Sequence, residues 1–171
     1  MMHRLTLTRR RFGLLAASGL VAPAPALASS VREITWDDLI PPGVPYSEIV
    51  GEGDVDEVND SWNPIFDENG SKLNLDLDGK AIKMPGYIIP LESGSAGVTE
   101  FVLVPYVGAC IHVPPPPPNQ LVFVTSSVPW PSDQLWDAIW VTGTLSAKMQ
   151  STSLGEIGYE LAASAIEIYE W

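Results

Sequence analysis

From Lys80 onward the chain breaks into short apolar runs separated by Gly and Pro, the punctuation of strands rather than of helices. The runs Lys80–Met84, Tyr87–Leu91, Thr99–Pro105, Leu121–Thr125, Ala138–Ala147 and Tyr159–Glu170 predict strands. In the last of these, Leu161–Ala165 contains good helix formers, but Ile166–Trp171 alternates with period two, and a final strand is favoured. Glu92–Val98 reads as a hairpin loop, and Pro131–Trp136 as a capped turn or a loop. Met84-Pro85-Gly86 inside an apolar run predicts a strand bent at a bulge, and Gly143 within Trp140–Leu145 predicts a second bend. The number and spacing of the runs predict a mainly β fold. It would be a small single-domain antiparallel barrel or sandwich, with an OB-like barrel as one form it could take, and with one or two short helices.

The pattern before Lys80 is different. Trp36-Asp37-Asp38-Leu39-Ile40 follows Thr35, an N-cap residue type, and stops at Pro41-Pro42-Gly43, so it has room only for a short helical turn. Residues 45–78 are rich in acids, Asn and Gly and show no sustained period. They predict a mostly irregular stretch with one short helix around residues 46–50, anchored by Tyr46, Ile49, Trp62, Ile65 and Phe66.

The first residues change the picture of where the chain works. Thr8-Arg9-Arg10-Arg11-Phe12, an apolar run from Gly13 to Val21 and the small-x-small sequence Ala26-Leu27-Ala28 predict an export signal, residues 1–28, cleaved near Ala28. The paired arginines are of the twin-arginine type. The apolar run is about half the roughly 20 residues needed to cross a bilayer, so no stable membrane span is expected. Residues 29–171 would form the single β-rich domain and locate it in the periplasm. That mature part keeps Arg32, Lys72, Lys80, Lys83 and Lys148 against all 21 carboxylates, a net charge of about −16. Such a charge repels phosphate backbones and anionic lipid surfaces, which argues against nucleic-acid partners and leaves affinity for cations open.

Chemistry-bearing residues are scarce. Cys110 is the only cysteine, and His112 the only histidine beyond His3, so no internal disulfide can form and any soft-ligand or thiol chemistry starts at this pair. Side chains two apart on an extended chain share a face. Pro114–Pro118 follow at once, and five prolines lock into a rod of roughly 15 Å that lacks backbone donors and so cannot be a central strand. A thiolate with an imidazole suits zinc or copper, although zinc asks for three or four ligands, so carboxylates, Met84, water or a second subunit would have to complete the set. Met84 or Glu92 could line the same pocket. A thiol-dependent enzyme or redox protein is the alternative, with His112 lowering the Cys110 pKa and Asn119 or Gln120 orienting the imidazole. Cysteine is also commonly buried as a small hydrophobe, which makes a structural or partner-docking module without chemistry the third reading.

The acids of Asp54–Asp60 and Asp67-Glu68-Asn69-Gly70 do not follow the calcium-hand spacing and read as solvated surface. No phosphate loop, dinucleotide fingerprint, serine elbow or paired metal-histidine helix is present, which argues against a standard enzyme.

Four segments carry a resemblance: Trp36–Pro41, Met84–Glu92, Phe101–Gln120 with its Cys-Ile-His-Val-polyproline-Asn-Gln string, and Val141–Leu145. Together they resemble an exported bacterial family catalogued as domain of unknown function 3299. The resemblance implies a periplasmic protein of proteobacteria, with relatives encoded near transporter components and sometimes in zinc-responsive gene groups. It supplies no activity. The overall expectation is a periplasmic accessory or binding protein for a transition metal, partnered with an envelope transporter component.

Overall fold

The structure, a computed structural model, describes residues 30–56, 58, 61–91, 97–107, 114–131, 134, 137–152 and 155–170. The strands are β1 (Arg32–Glu33), β2 (Ile49–Asp56), β3 (Ser61–Phe66), β4 (Lys80–Pro90), β5 (Val98–Val104), β6 (Val122–Trp130), β7 (Ile139–Thr152) and β8 (Gly155–Ile168). The larger sheet runs β1-β4-β5-β6-β8-β7, and β7 pairs again with β4. That second pairing closes β4, β5, β6, β8 and β7 into a ring. All neighbours in the ring are antiparallel except β6 and β8, which are parallel. Five strands in this order and with these directions make an OB-type barrel.

Closure depends on β4 serving two partners. Lys80–Gly86 pair with Leu145–Ile139, and Tyr87–Pro90 with Val104–Phe101, so the strand changes neighbours at Gly86. A Cβ on Gly86 would come within 2.7 Å of the Leu103 side chain and 2.9 Å of the Val104 carbonyl oxygen. Met84-Pro85-Gly86, where a bulge was expected, is thus where β4 passes from one neighbour to the other, with the register unbroken in both ladders. In β7 the register shifts between Thr142 and Gly143, the second expected bend.

Alternation then sorts the side chains. Ile82, Met84 and Ile88 of β4, Phe101 and Leu103 of β5, Val122 and Val124 of β6, Val141 and Leu145 of β7, and Tyr159 and Leu161 of β8 form one buried core. Val102 and Val104, the intervening residues of β5, are buried in a second cluster with Ile157. Because β5 is covered on both faces, its sequence reads as a continuous apolar run rather than an alternating one. Each fully buried aliphatic side chain contributes roughly 1.5–3 kcal/mol of hydrophobic stabilisation.

The N-terminal segment completes the core. Ile34 donates its N–H to the Lys83 carbonyl at 2.9 Å beyond the short parallel pairing of β1 with β4, and Ile34, Leu39 and Leu77 are buried with the barrel core. A 3-10 turn over Asp37–Leu39 delivers Leu39. Thr35 does not cap it in the expected sense. The Asp38 carboxylate reaches back to accept from the Thr35 N–H at 2.8 Å and hydroxyl at 2.9 Å, and Arg32 donates to it at 2.9 Å.

Residues 45–78 are more ordered than their composition suggests. Instead of an irregular stretch with a helix at 46–50, β2 and β3 form an antiparallel hairpin, followed by 3-10 turns at Glu68–Ser71 and Leu75–Leu77. The register shifts between Ile49 and Gly51 and between Gly51 and Asp54 break the two-residue period that would have announced β2. Pro64 similarly disguises β3. Strands β6, β7 and β8 also run further than their apolar runs. Gln150–Thr152 pair with Ile157–Gly155, so cross-strand bonding extends the ladder where hydrophobicity gives no sign of it.

Candidate functional site

Pro114–Pro117 carry no ladder bonds, and Pro117 has φ −65° and ψ 160°, the polyproline geometry expected of the run. Pro118–Gln120 then form a 3-10 turn. The rod is not a free ledge. Pro114 is exposed, but Pro116 and Pro117 are buried.

Two glycines make the close packing of the rod's end feasible. A Cβ on Gly158 of β8 would lie 2.8 Å from the Pro118 carbonyl oxygen and 3.1 Å from the Asn119 Cα. A Cβ on Gly70 would lie 3.3 Å from Pro117 Cβ and 2.9 Å from the Ser47 hydroxyl. Beyond the rod, Asn119 and Gln120 are 1% and 2% exposed. The Asn119 amide donates to the carbonyls of Asn69 at 2.9 Å and Lys72 at 3.1 Å, and the Gln120 amide donates to that of Trp36 at 3.0 Å. Both side chains therefore pin the rod to the turns that precede the barrel.

At the other side of the cysteine-histidine segment, the Tyr106 hydroxyl donates to the Pro114 carbonyl at 2.7 Å. Burial pushes the Tyr106 hydroxyl above its ordinary pKa, so the donor keeps its proton across the physiological range. Residues 108–113, with Cys110 and His112, lie outside the described residues, as does Glu92. Met84 is fully buried inside the barrel with Ile82 and Ile88, so it belongs to the core rather than to a pocket at the rod. Among the described residues, no three His, Cys, Asp or Glu side chains come together as a metal cage.

Next to the rod is a cleft of about 510 Å³ that the sequence did not reveal. Its walls are Trp62 and Phe66 of β3, Pro115 and Pro116 of the rod, Thr152 at the end of β7 and Glu156 near the start of β8. The Trp62 indole N–H donates to the Glu52 carbonyl across the β2–β3 hairpin, which fixes the ring. Asp67 borders the cleft and accepts from the Ser47 hydroxyl at 2.7 Å, the Asn69 N–H at 3.0 Å and the Asn69 side-chain amide at 3.0 Å.

The Ser47 hydroxyl bond, with the backbone bonds of Asn69 and Glu48, holds the Asp67 carboxyl below the usual range. The Thr35 backbone bond does the same for Asp38, with the Thr35 hydroxyl and Arg32 adding to it against the opposing effect of burial. A depressed folded pKa means that the stabilisation is complete above the unfolded value, about 3.9. It is lost as pH falls through the lower folded value. Acid titration should therefore unfold the wild type more steeply below pH ~4 than Asp38→Asn, as followed by tryptophan fluorescence.

Residues 36–168 match the family described as a protein of unknown function, DUF3299. The chain belongs to the DUF3299 family. A crystal structure of a DUF3299 family protein from Pseudomonas aeruginosa PAO1 is 38% identical and superposes with a TM-score of 0.66, covering 83% of this chain and 98% of that one. Curated proteins provide no match. In this DUF3299 chain, no helix among the described residues is long and apolar enough to cross a membrane.

Proposed function

We propose that this DUF3299 protein is an exported periplasmic binding protein that handles a transition metal, zinc or copper, through Cys110 and His112, beside an envelope transporter component. The observation that carries this reading is the hydrogen bond of Tyr106 to Pro114. It ties together the two ends of the segment that bears the only sulfhydryl and the only imidazole of the mature chain. A segment whose ends are already held loses less conformational freedom when its side chains close on an ion. Thiolate and imidazole are the donor pair that zinc and copper favour over the hard cations. The acidic mature chain adds a general attraction for cations.

Calorimetry on the reduced chain from Ser29 onward, with zinc and with copper(I), tests the reading. One equivalent should bind, and Cys110→Ser and His112→Ala should each weaken binding at least tenfold. Tyr106→Phe, which removes only the tie at the ends, should weaken it roughly three- to tenfold while leaving the ligands intact. Metal binding that is absent, or unchanged in the double variant Cys110→Ser/His112→Ala, overturns it. Export is checked separately: N-terminal sequencing of protein from the periplasmic fraction should begin near Ser29.

A further inference from the structure

The cleft beside the rod plays no part in the metal reading, and its chemistry is different. We propose that it is a binding site for an organic cation, an alkylammonium or guanidinium group, held between the indole of Trp62 and the carboxylates of the cleft. Its volume of about 510 Å³ falls within the roughly 300–1,000 Å³ typical of small-molecule sites.

Three features of the walls select the ligand. The first is an aromatic surface that is already oriented: Trp62 is neither fully exposed nor buried, and its N–H is committed to the Glu52 carbonyl. An indole face is the best aromatic partner for a cation, worth roughly 0.5–2 kcal/mol. The second is charge of one sign. The charged side chains among the described lining residues are Asp67, Glu68 and Glu156, with no Lys, Arg or His. The nearby Lys72 is engaged, donating to the Glu68 carboxylate at 3.0 Å and to the Asn69 side-chain oxygen at 2.8 Å, so it offsets Glu68 and leaves the charges of Asp67 and Glu156.

The third is rigidity. Pro115 and Pro116 form one wall and have little conformational freedom to lose on binding. Asp67, also on the lining, is fixed by three hydrogen bonds. An anionic ligand would meet these carboxylates unpaired, and a purely apolar one would leave them desolvated. A cation with a short methylene stem satisfies both the carboxylates and the apolar walls.

Such a group could arrive on a free polyamine or on a basic side chain of an extended peptide, and the test separates the two. Spermidine, the tripeptide Lys-Arg-Lys, its glutamate counterpart and a neutral oligosaccharide would each be titrated into the full mature chain and followed by amide chemical shifts. Saturable binding of spermidine or Lys-Arg-Lys is expected, with the tighter of the two identifying the source. The affinity should fall at least tenfold in Glu156→Gln, an exposed position where the fold should tolerate the change, and likewise in Trp62→Leu. It should fall as ionic strength rises, and it should be unaltered in Cys110→Ser/His112→Ala. The proposal is overturned if neither cation saturates, if the glutamate peptide or the oligosaccharide binds as tightly, or if Glu156→Gln leaves the affinity unchanged.

Discussion

Replacing Tyr159 with Phe should lower the unfolding free energy by about 2–4 kcal/mol, read as a drop in the urea midpoint at constant slope. The side chain is fully buried in the barrel. Its hydroxyl donates to the Leu39 carbonyl at 2.6 Å and accepts from the Asn74 N–H at 2.6 Å. Asn74 in turn caps the 3-10 turn of Leu75–Leu77 and donates to the Asp38 carbonyl at 2.7 Å. One oxygen therefore holds two turns of the N-terminal segment against the barrel. Phe keeps the ring and its apolar contacts but leaves a backbone carbonyl and a backbone N–H without this partner, each costing roughly 1–3 kcal/mol when buried.

The same site predicts an alkaline limit. Burial pushes the Tyr159 hydroxyl up to about 12, opposed by the Asn74 N–H bond. A raised folded pKa gives stability that is complete below the unfolded value, about 10, and lost as pH climbs towards 12. The wild type should lose stability across that window more steeply than Tyr159→Phe. Equal midpoints for the two proteins at neutral pH would show that the hydroxyl contributes nothing.

The second large effect is expected at Gly158, where local preference and tertiary packing predict opposite signs. Val is a far better strand residue than Gly, so on propensity alone Gly158→Val should stabilise β8 by up to about 1 kcal/mol. Packing predicts the reverse. Even a Cβ would lie 2.7 Å from Leu73 Cδ2 and 2.8 Å from the Pro118 carbonyl oxygen, and the latter is backbone with little room to move. Overpacking of this kind costs roughly 1–3 kcal/mol. We expect net destabilisation, visible in the melting temperature, because the end of the rod is displaced. A stabilised variant would mean that the rod does not rest on β8 as described.

These two residues illustrate what could be read from the chain and what could not. The strands of the barrel were legible from Lys80 onward because apolar runs and Gly or Pro breaks are local signals. The final strand was legible because Ile166, Ile168 and their polar neighbours alternate. The β2–β3 hairpin was missed. Its strands carry bulges, exposed acids and Pro64, so neither shows the period that marks a half-buried strand. The stiffness of the proline run was foreseeable, whereas the burial of Pro116 and Pro117 was not. Pro117 packs against Gly70, 47 residues upstream, and the residues just after it pack against Gly158 of β8, 40 residues downstream of Pro118.

For the candidate site, the cysteine-histidine pair was evident from its uniqueness alone. Nothing in the residue types singled out Tyr106 as the tie to Pro114, or Trp62, Asp67 and Glu156 as walls of one cleft. Asn119 and Gln120 were noticed for their proximity to His112, and no local signal gave their N–H partners on the backbone. Adjacency in sequence suggested a side-chain partner, while burial directed both amides to backbone carbonyls.

Properties carried by neighbours along the chain were thus settled by the residues themselves: strand-forming runs, the rigidity of five consecutive prolines, an excess of carboxylates, and the single thiol two residues from the one imidazole beyond His3. Ring closure through β4, the seating of the rod on glycines and the existence of the cleft came from the folded arrangement. They depend on contacts between residues far apart in sequence, where register, close approach and desolvation decide the outcome, and no local pattern encodes those.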